Sequence, residues 1–548
     1  MTTSAASWLR LHTQSYSRRP WARPVPLALV TSLVLAAIWA VALPHVPDLS
    51  AQLARAELAG TEGLVPFWTS WYAGTSTLGY SVFAPLLVAI LGPQVVGIVS
   101  AVVTAVAGAM LLRDTRRPRL GGVLLAMLAV LDVCLGRLTF AAGVAAGMAA
   151  VALVTSARWR SAVLLSGLCG LTSPLAGAFL ALAYVSAGAA GAAPLSRRRW
   201  AWLLVATVAP VAVLELMFPQ GGFEPLSIGT ALGGLLVCVL VGALSPHRSL
   251  RVGALLTSLL ILSAWLVPNA IGGNAARLPE IVGLPVLLAT AARPGWRLAR
   301  MRGTRGLRYV AAVLAAVPIV LPVSELAVGL AAANSPGAQE TYWQPLLTRL
   351  STAPGAAQHR VEVVATAGHW EVQYLSSRVV LARGWERQTD EGRNPLFYGR
   401  APLTDATYRA WLDSLSVAYV AVPDGQLDFG ARQENALIAA APSYLSLVWS
   451  NAHWKLFAVD HPASMVLGPG RLTSMSPAVM TVNVTSTRPV VIRLRWSPFL
   501  TYLGPPGCLS AAGDWTSLRL LAPGLVKLQV RWRPTSAQVD ELCPPSRP

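Results

Sequence analysis

The chain has 548 residues, of which 54% are hydrophobic and 12% charged, and its net charge is +19. Soluble domains carry about twice this share of charge, and the apolar excess here lies in segments of membrane-spanning length. The composition therefore excludes an ordinary soluble protein and predicts a polytopic α-helical membrane protein. The basic residues lie in short blocks between apolar segments, which favours topology signals and anionic lipid over nucleic acid as their partners.

The first apolar segment lies at 25–44, after a polar tail at 1–24 that carries four arginines. A cleaved signal peptide is the alternative interpretation, but the length of the run and the spans after it favour a retained helix with a cytoplasmic N-terminus. The first external loop is then 45–80. The next apolar stretch is interrupted at Gly92-Pro93, so we expect an interfacial helix at 80–92 and a second span at 94–112.

Nine further spans follow from the hydrophobic pattern, for about 11 in total. They lie at 120–135, 138–156, twice within 161–194 (broken before Pro174), and at 201–217, 229–245, 252–268, 281–291 and 309–331. The predicted inner segments hold 21 arginines, whereas the outer loops hold only Arg55, Arg137 and Arg277. This bias predicts that the C-terminal region lies outside the cytoplasm.

The composition changes after the membrane region at 25–331. We expect a linker helix at 332–354 along the membrane surface and a tail at 536–548. Between them, short strand patterns first alternate with helical patterns, which predicts an α/β unit at 355–460. Strand patterns then follow one another directly, which predicts a β-sandwich-like module at 461–535. Cys508 and Cys543 are candidates for a disulfide in this external region. No cysteine spacing resembles a zinc site.

The first external loop holds the leading catalytic candidate. Asp48 follows the first span directly, where a partly desolvated carboxylate could act as a general base on a hydroxyl group. The alternative is that Asp48 caps an amphipathic helix beginning near Pro47. Glu57, on the same helix, could assist or simply face solvent. Trp71 and Tyr72 are either membrane-interface anchors or rings that stack on a sugar.

Other candidates lie near the ends of later spans. Arg137 and Arg277 could hold a lipid-linked phosphate, or could reach toward ordinary lipid head groups. Asn274, beside two glycines, would allow close approach of a ligand, although a simple turn explains the same residues. Glu224, in a predicted outer loop, could line the chamber in which the ligand would bind.

Two acids fall inside predicted spans. Ionisable groups are costly there and usually face a cavity or a partner. Asp132 and Glu215 could therefore relay protons in a transporter or assist acid–base chemistry in an enzyme.

Several stretches resemble the GT-C superfamily of polytopic glycosyltransferases. Asp48 matches that family's acidic position just after the first span. The motifs at 71–74 (WYAG) and 84–86 (APL) are similar to the family's first loop and interfacial helix. As in the family, a predicted membrane core precedes a predicted external domain. The short motifs at 136–140, 173–177, 273–278 and 383–387 also resemble a group of actinobacterial integral membrane proteins. Members of that group are often labelled 6-pyruvoyl-tetrahydropterin-synthase-related membrane proteins.

The resemblance implies an inverting transfer of a sugar from a polyprenyl-phosphate donor to a cell-envelope glycan or lipid, at the outer face of the plasma membrane. Many members of the family pair two acids, but Leu49 follows Asp48 here. A divalent cation is therefore possible but is not supported by a paired acid, no cofactor is certain, and no metal ligand is predicted. A transporter or flippase of lipid-linked saccharide, using Asp132 and Glu215, is one alternative. A non-catalytic scaffold for envelope assembly is another.

Overall fold

The computed structural model describes residues 23–191, 195–219, 221–290, 320, 322–399 and 401–532. The chain divides into two compact units. The helical unit comprises Met1–Pro44, Tyr80–Met217 and Phe223–Ala331, and the mixed unit comprises His45–Gly79, Phe218–Gly222 and Ala332–Pro548. The predicted first external loop thus belongs to the same unit as the C-terminal region.

The structure contains helices of very different lengths. In chain order they are α1 Pro24–Ala42, α2 Pro47–Glu62, α3 Ala84–Leu112, α4 Pro118–Cys134, α5 Leu138–Thr155, α6 Trp159–Thr172, α7 Pro174–Ala189, α8 Arg197–Met217, α9 Ile228–Leu244, α10 Arg248–Leu266, α11 Leu284–Thr290, α12 Pro322–Ala333, α13 Glu340–Ser351, α14 Glu371–Tyr374, α15 Arg387–Arg393, α16 Asp405–Leu415 and α17 Arg432–Ala439.

Within the described residues, five helices are long and apolar enough to cross a membrane. These are α1, α3, α5, α8 and α10. Helices α7, α9 and α12 are apolar but shorter, and α6 has 14 residues, about 21 Å against a hydrocarbon core of about 30 Å. Helix length therefore supports a membrane protein without establishing 11 spans. The last predicted span and the predicted tail at 1–24 both lie partly outside the described residues.

Two predicted breaks occur where proline lies in the sequence. The interfacial helix and the second span form one helix, α3, whose backbone leaves the helical conformation at Gly92 (φ 81°, ψ 155°) just before Pro93. Glycine tolerates this positive φ and proline cannot donate to the preceding turn. The break in 161–194 lies at Ser173, whose hydroxyl oxygen accepts from the Ala176 amide at 3.3 Å and caps α7.

Small residues allow the helices of the helical unit to pack closely. A Cβ atom at Gly97 would lie 2.4 Å from the ring of Trp39, and one at Gly108 would lie 1.8 Å from a methyl carbon of Leu125. Ser81, just before α3, donates to the Thr172 carbonyl at 2.6 Å at the end of α6. Close approach at small residues is typical of helix packing in membranes.

The mixed unit contains all the described strands. They are β1 Phe67–Trp68, β2 Thr75–Ser76, β3 Arg360–Val363, β4 Val417–Pro423, β5 Leu445–Ser450, β6 Trp454–Val459, β7 Val466–Leu467, β8 Gly470–Met475, β9 Val479–Val484, β10 Val490–Arg495, β11 Leu500–Leu503, β12 Gly507–Ala512, β13 Trp515–Leu520 and β14 Gly524–Val530.

The short strands β1 and β2 form an antiparallel pair, and the other strands form one mixed sheet and one sandwich. The mixed sheet has the order β3-β4-β6-β5, with β3 and β4 parallel and the other pairs antiparallel. Two antiparallel sheets, β12-β13-β10-β7 and β11-β14-β9-β8, follow. Buried side chains from both, including Ile492, Leu518, Val482 and Val526, form one apolar core. This is face-to-face packing of two sheets.

Helix α13 lies in the region predicted as a surface linker. Its Trp343 is fully buried in the mixed unit, with its ring centroid 4.9 Å from that of Trp454. The Trp454 indole donates to the Tyr342 carbonyl at 2.9 Å. The apolar face of this helix therefore packs against protein in the mixed unit.

Candidate functional site

An apolar cavity of about 630 Å³ lies inside the helical unit. Its lining on α5 recurs every three or four residues, at Phe140, Val144, Met148, Val151 and Thr155, which places these residues on one face of that helix. The cavity therefore extends for about 22 Å along α5, at 1.5 Å per residue. A long, apolar cavity of this kind suits a hydrocarbon chain.

The arginines of the cavity lie at its two ends. At the end formed by the first turn of α5, the Arg277 guanidinium carbon lies 5.3 Å from the ring centroid of Phe140, within cation–π range. At the other end the lining includes Thr115, His247 and Arg248. Each end of the cavity thus carries at least one arginine.

Arg277 belongs to a cluster of charged residues drawn from four parts of the helical unit. Arg137 lies 3.0 Å from a carboxylate oxygen of Glu325 and 3.7 Å from one of Asp132. Glu280 interacts electrostatically with both arginines and with both of those acids. The structure therefore brings together Arg137 and Arg277, the two arginines that the sequence predicted as phosphate-binding residues. It adds Glu280 and Glu325 to the cluster, which the sequence did not predict.

The loop before Arg277 is shaped by Asn269. Its side-chain oxygen accepts from the amides of Ile271 and Gly272 at 2.8 and 2.9 Å. Gly272 has a φ of 45°, and a Cβ there would lie 1.9 Å from the Glu224 carbonyl oxygen. Asn274, the predicted binding residue, lies in the 3₁₀ turn that follows. Glu224 contacts this loop through its backbone and is not among the residues lining the cavity.

The two acids predicted inside spans have different surroundings. Asp132 is buried within the charged cluster. Glu215 lies near the end of α8, where its side chain is exposed, and it does not line the cavity. Asp132 does not line the cavity either.

Asp48 lies in the mixed unit, in the first turn of α2. The N-cap of this helix is Val46, which corrects the proposal that Asp48 is the cap, although an acid in the first turn still favours the helix dipole. Asp48 is half-buried. Glu57, farther along α2, accepts a hydrogen bond from the Gln373 side chain at 3.2 Å. Within the described residues, no group of three or more His, Cys, Asp or Glu side chains could hold a metal ion.

Trp71 and Tyr72 are buried in the mixed unit. A Cβ at Gly384 would lie 2.5 Å from the Trp71 ring, and the Tyr72 hydroxyl accepts from the Glu386 amide at 3.1 Å. Glu386 also pairs with Arg55 of α2. Neither aromatic ring presents a face to lipid or to a sugar, so both instead hold the first loop within its unit.

A buried ionic network at the centre of the mixed unit was also missed. Arg383 donates to Glu362 at 2.8 Å and to Glu434 at 3.1 Å, and the Tyr408 hydroxyl donates to Glu434 at 2.7 Å. Buried charges are retained only where such partners compensate their lost hydration. The signal in the sequence was the charged motif at 383–387, whose acidic partners lie far away along the chain.

His369 extends this polar interior. Its two ring nitrogens lie 3.2 Å from Glu371 and 3.3 Å from Asp428, and its ring stacks on Trp385 with centroids 3.3 Å apart. Burial lowers the pKa of His369, but the hydrogen bonds with Asp428 and Glu371 outweigh burial, so the pKa is raised. Burial opposes ionisation of Asp428, yet Arg387 and His369 hold its pKa well below the usual range.

The cysteines fall into two groups. Cys508 is disulfide-bonded, whereas Cys543, its predicted partner, lies outside the described residues, so the pairing stays a prediction. Cys134, Cys169 and Cys238 are free thiols in the helical unit.

No protein-family model matches the chain, and no curated protein matches it. The chain is similar to solved structures of ArnT from Cupriavidus metallidurans, in the apo state (12% identity, 79% of this chain, 97% of that chain, TM-score 0.43) and bound to undecaprenyl phosphate (14%, 79%, 97%, 0.41). It is also similar to the archaeal oligosaccharyltransferase AglB from Archaeoglobus fulgidus in complex with an inhibitory peptide and a dolichol-phosphate (11%, 72%, 69%, 0.38).

Proposed function

We propose that the helical unit binds a polyprenyl-phosphate sugar and that the protein transfers this sugar to a cell-envelope glycan or lipid. The observation that carries the proposal is the position of Arg277 at one end of a long apolar cavity. The isoprenoid chain would occupy the apolar length, as hydrocarbon ligands do in largely preformed pockets. The phosphate would meet the guanidinium, whose planar fork matches phosphate geometry.

The charged cluster would then serve the leaving group. Sugar transfer breaks the bond between the anomeric carbon and a phosphate oxygen, so negative charge grows on the phosphate. Arg277 would stabilise that charge as a preorganised cation, and Arg137, held by Glu325 and Asp132, would contribute a second positive charge. The negative charge of Glu280 would repel the phosphate, so removing that charge should strengthen phosphate binding.

Asp48 is our proposed general base. In an inverting transfer the acceptor hydroxyl oxygen bonds to the anomeric carbon as the phosphate leaves, and the hydroxyl proton passes to the Asp48 carboxylate. The first turn of α2 and half-burial support a carboxylate held in one place. The outer face of the plasma membrane as the site of reaction follows from the arginine bias alone and is part of the proposal.

The experiment is a transfer assay with purified protein, a labelled polyprenyl-phosphate sugar and an envelope glycan fraction. Asp48→Asn should reduce the transfer rate by about 10²–10⁴-fold, while Glu57→Gln on the same helix should retain it. Full turnover by Asp48→Asn would eliminate this mechanism. Transport of lipid-linked saccharide into vesicles without chemical change would instead favour a flippase. The exposed position of Glu215, which does not line the cavity, weakens that alternative. A scaffold predicts no turnover in any variant.

A further inference from the structure

Strand β3 carries an acid into the interior of the mixed unit. All four of its residues are buried, and Glu362 has no exposed surface. The Glu362 Oε1 atom accepts from the Arg383 Nε atom at 2.8 Å. Arg360, on the same face of β3, donates instead to the backbone carbonyls of Leu415 and Arg493. Arg383 is therefore the cation on which Glu362 depends.

The carboxyl groups around Arg383 outnumber its positive charge. Besides Glu362, the guanidinium lies 3.1 Å from Glu434 and 3.7 Å from Asp390, and all three acids are buried. Three carboxylates and one guanidinium would leave two uncompensated negative charges in the interior. A buried carboxylate without a counter-charge takes up a proton, because the neutral acid costs far less to bury.

The neighbouring histidine does not supply the missing positive charge. His369 lies between Glu371 and Asp428, and Arg387 lies 2.6 Å from Asp428. With the imidazole protonated, these two cations and two carboxylates balance one another. The deficit around Arg383 must therefore be met at its own three acids, by a proton or by a bound cation.

Two of the three acids have hydrogen-bond donors on both oxygens. Asp390 accepts from the Asn394 side-chain amide at 2.7 Å and, on its other oxygen, from the Tyr398 hydroxyl at 2.5 Å. Glu434 accepts from the Tyr408 hydroxyl at 2.7 Å and, on its other oxygen, from the guanidinium at 3.1 Å. Donors on both oxygens favour the ionised form of an acid.

Glu362 has an oxygen that can carry the proton. Within the described residues, nothing donates to its Oε2 atom and nothing accepts from the Arg383 Nη1 atom. Both residues line a cavity of about 10 Å³, together with His369, Glu371 and Asp390. This volume suits about one water molecule, which could accept from both a protonated Oε2 and Nη1. A cation would be repelled by the guanidinium that lines the same cavity.

We propose that Glu362 is a neutral carboxylic acid at pH 7, and that its proton and one bound water complete the interior of the mixed unit, which loosens when that proton is lost. Burial raises the pKa of Glu362 well above its ordinary value of 4.5, against the effect of Arg383. Above pH 4.5 the folded state thus keeps a proton that the unfolded state releases. Stability is therefore greatest below that pH and falls as the pH rises toward the raised pKa. This proposal does not depend on sugar transfer.

The first test is infrared spectroscopy of the full chain in a detergent without ester groups, which separates the carbonyl band of a carboxylic acid from the bands of carboxylates. We expect an acid band in the wild type at pH 8. Glu362→Gln should remove that band and should fold, because the amide matches the neutral acid in shape and keeps one donor and one acceptor. Glu57→Gln, the same exchange at an exposed acid of the mixed unit, should leave the band unchanged.

Hydrogen exchange of β3 is the second test. The Val361 amide donates to the Val380 carbonyl at 3.0 Å, so its exchange reports the opening of this strand. After correction for intrinsic exchange, the opening constant should rise roughly tenfold per pH unit more steeply between pH 5 and 8 in the wild type and Glu57→Gln than in Glu362→Gln.

Three outcomes would overturn the proposal. The first is the absence of an acid band in the wild type at pH 8, which decides the matter whether or not the variant folds. The second is an acid band that is unchanged in Glu362→Gln. The third is an opening constant that depends on sodium or potassium at constant ionic strength, without an acid band, which would favour a bound cation.

Discussion

Replacing Arg277 with glutamine removes the guanidinium at one end of the apolar cavity while keeping a polar side chain of similar reach. A charge-assisted hydrogen bond contributes about 1.5–3 kcal/mol, so polyprenyl phosphate should bind roughly tenfold to a hundredfold more weakly. Arg277→Lys keeps the charge but loses the planar fork, so its loss should be smaller. The contact with Phe140 at 5.3 Å contributes about 1 kcal/mol, and thermal unfolding of the purified variant shows whether it folds.

The measurement is a binding titration of the purified protein with a short-chain polyprenyl phosphate, compared with the matching alcohol that lacks the phosphate. Arg277→Gln should lose affinity for the phosphate and keep its affinity for the alcohol. The matched control is Arg248→Gln, which alters an arginine at the other end of the same cavity and should leave phosphate binding unchanged. Equal losses in the two variants, or no loss at Arg277, would refute the proposed position of the phosphate.

Three other predictions follow from single groups. Glu280→Gln removes a negative charge near both arginines, so it should tighten phosphate binding by about three- to tenfold; weaker binding in the same titration would contradict the proposed role of the cluster. Asp48→Asn should reduce the transfer rate by about 10²–10⁴-fold, the usual contribution of a general base, without changing donor binding, whereas equal rates in the transfer assay would exclude it. The pKa of His369 is raised in the folded protein, so the protonated imidazole stabilises the fold fully below pH 6.5, the ordinary value. This contribution to stability is lost as the pH rises through the raised pKa. Thermal unfolding from pH 5 to 9 should show a steeper decline in the wild type than in His369→Gln.

The apolar segments, their breaks and the strand patterns could be read from the sequence because each depends on neighbouring residues. Helix α1 begins and ends within two residues of the predicted span, and the break at Ser173-Pro174 follows from a missing amide donor. Alternating residues predicted the sandwich because one face of each strand must be buried. The scarcity of arginines in the predicted outer loops likewise singled out Arg137 and Arg277 without any structure.

Only the tertiary structure decided which distant groups meet. Arg137 contacts Glu325, 188 residues away, and Tyr72 contacts Glu386, 314 residues away. No local period encodes such pairs, because they depend on the path of the chain between them. An aromatic residue after a span suits a membrane interface and a protein core equally well, and burial alone assigns Trp71 and Tyr72 to the core.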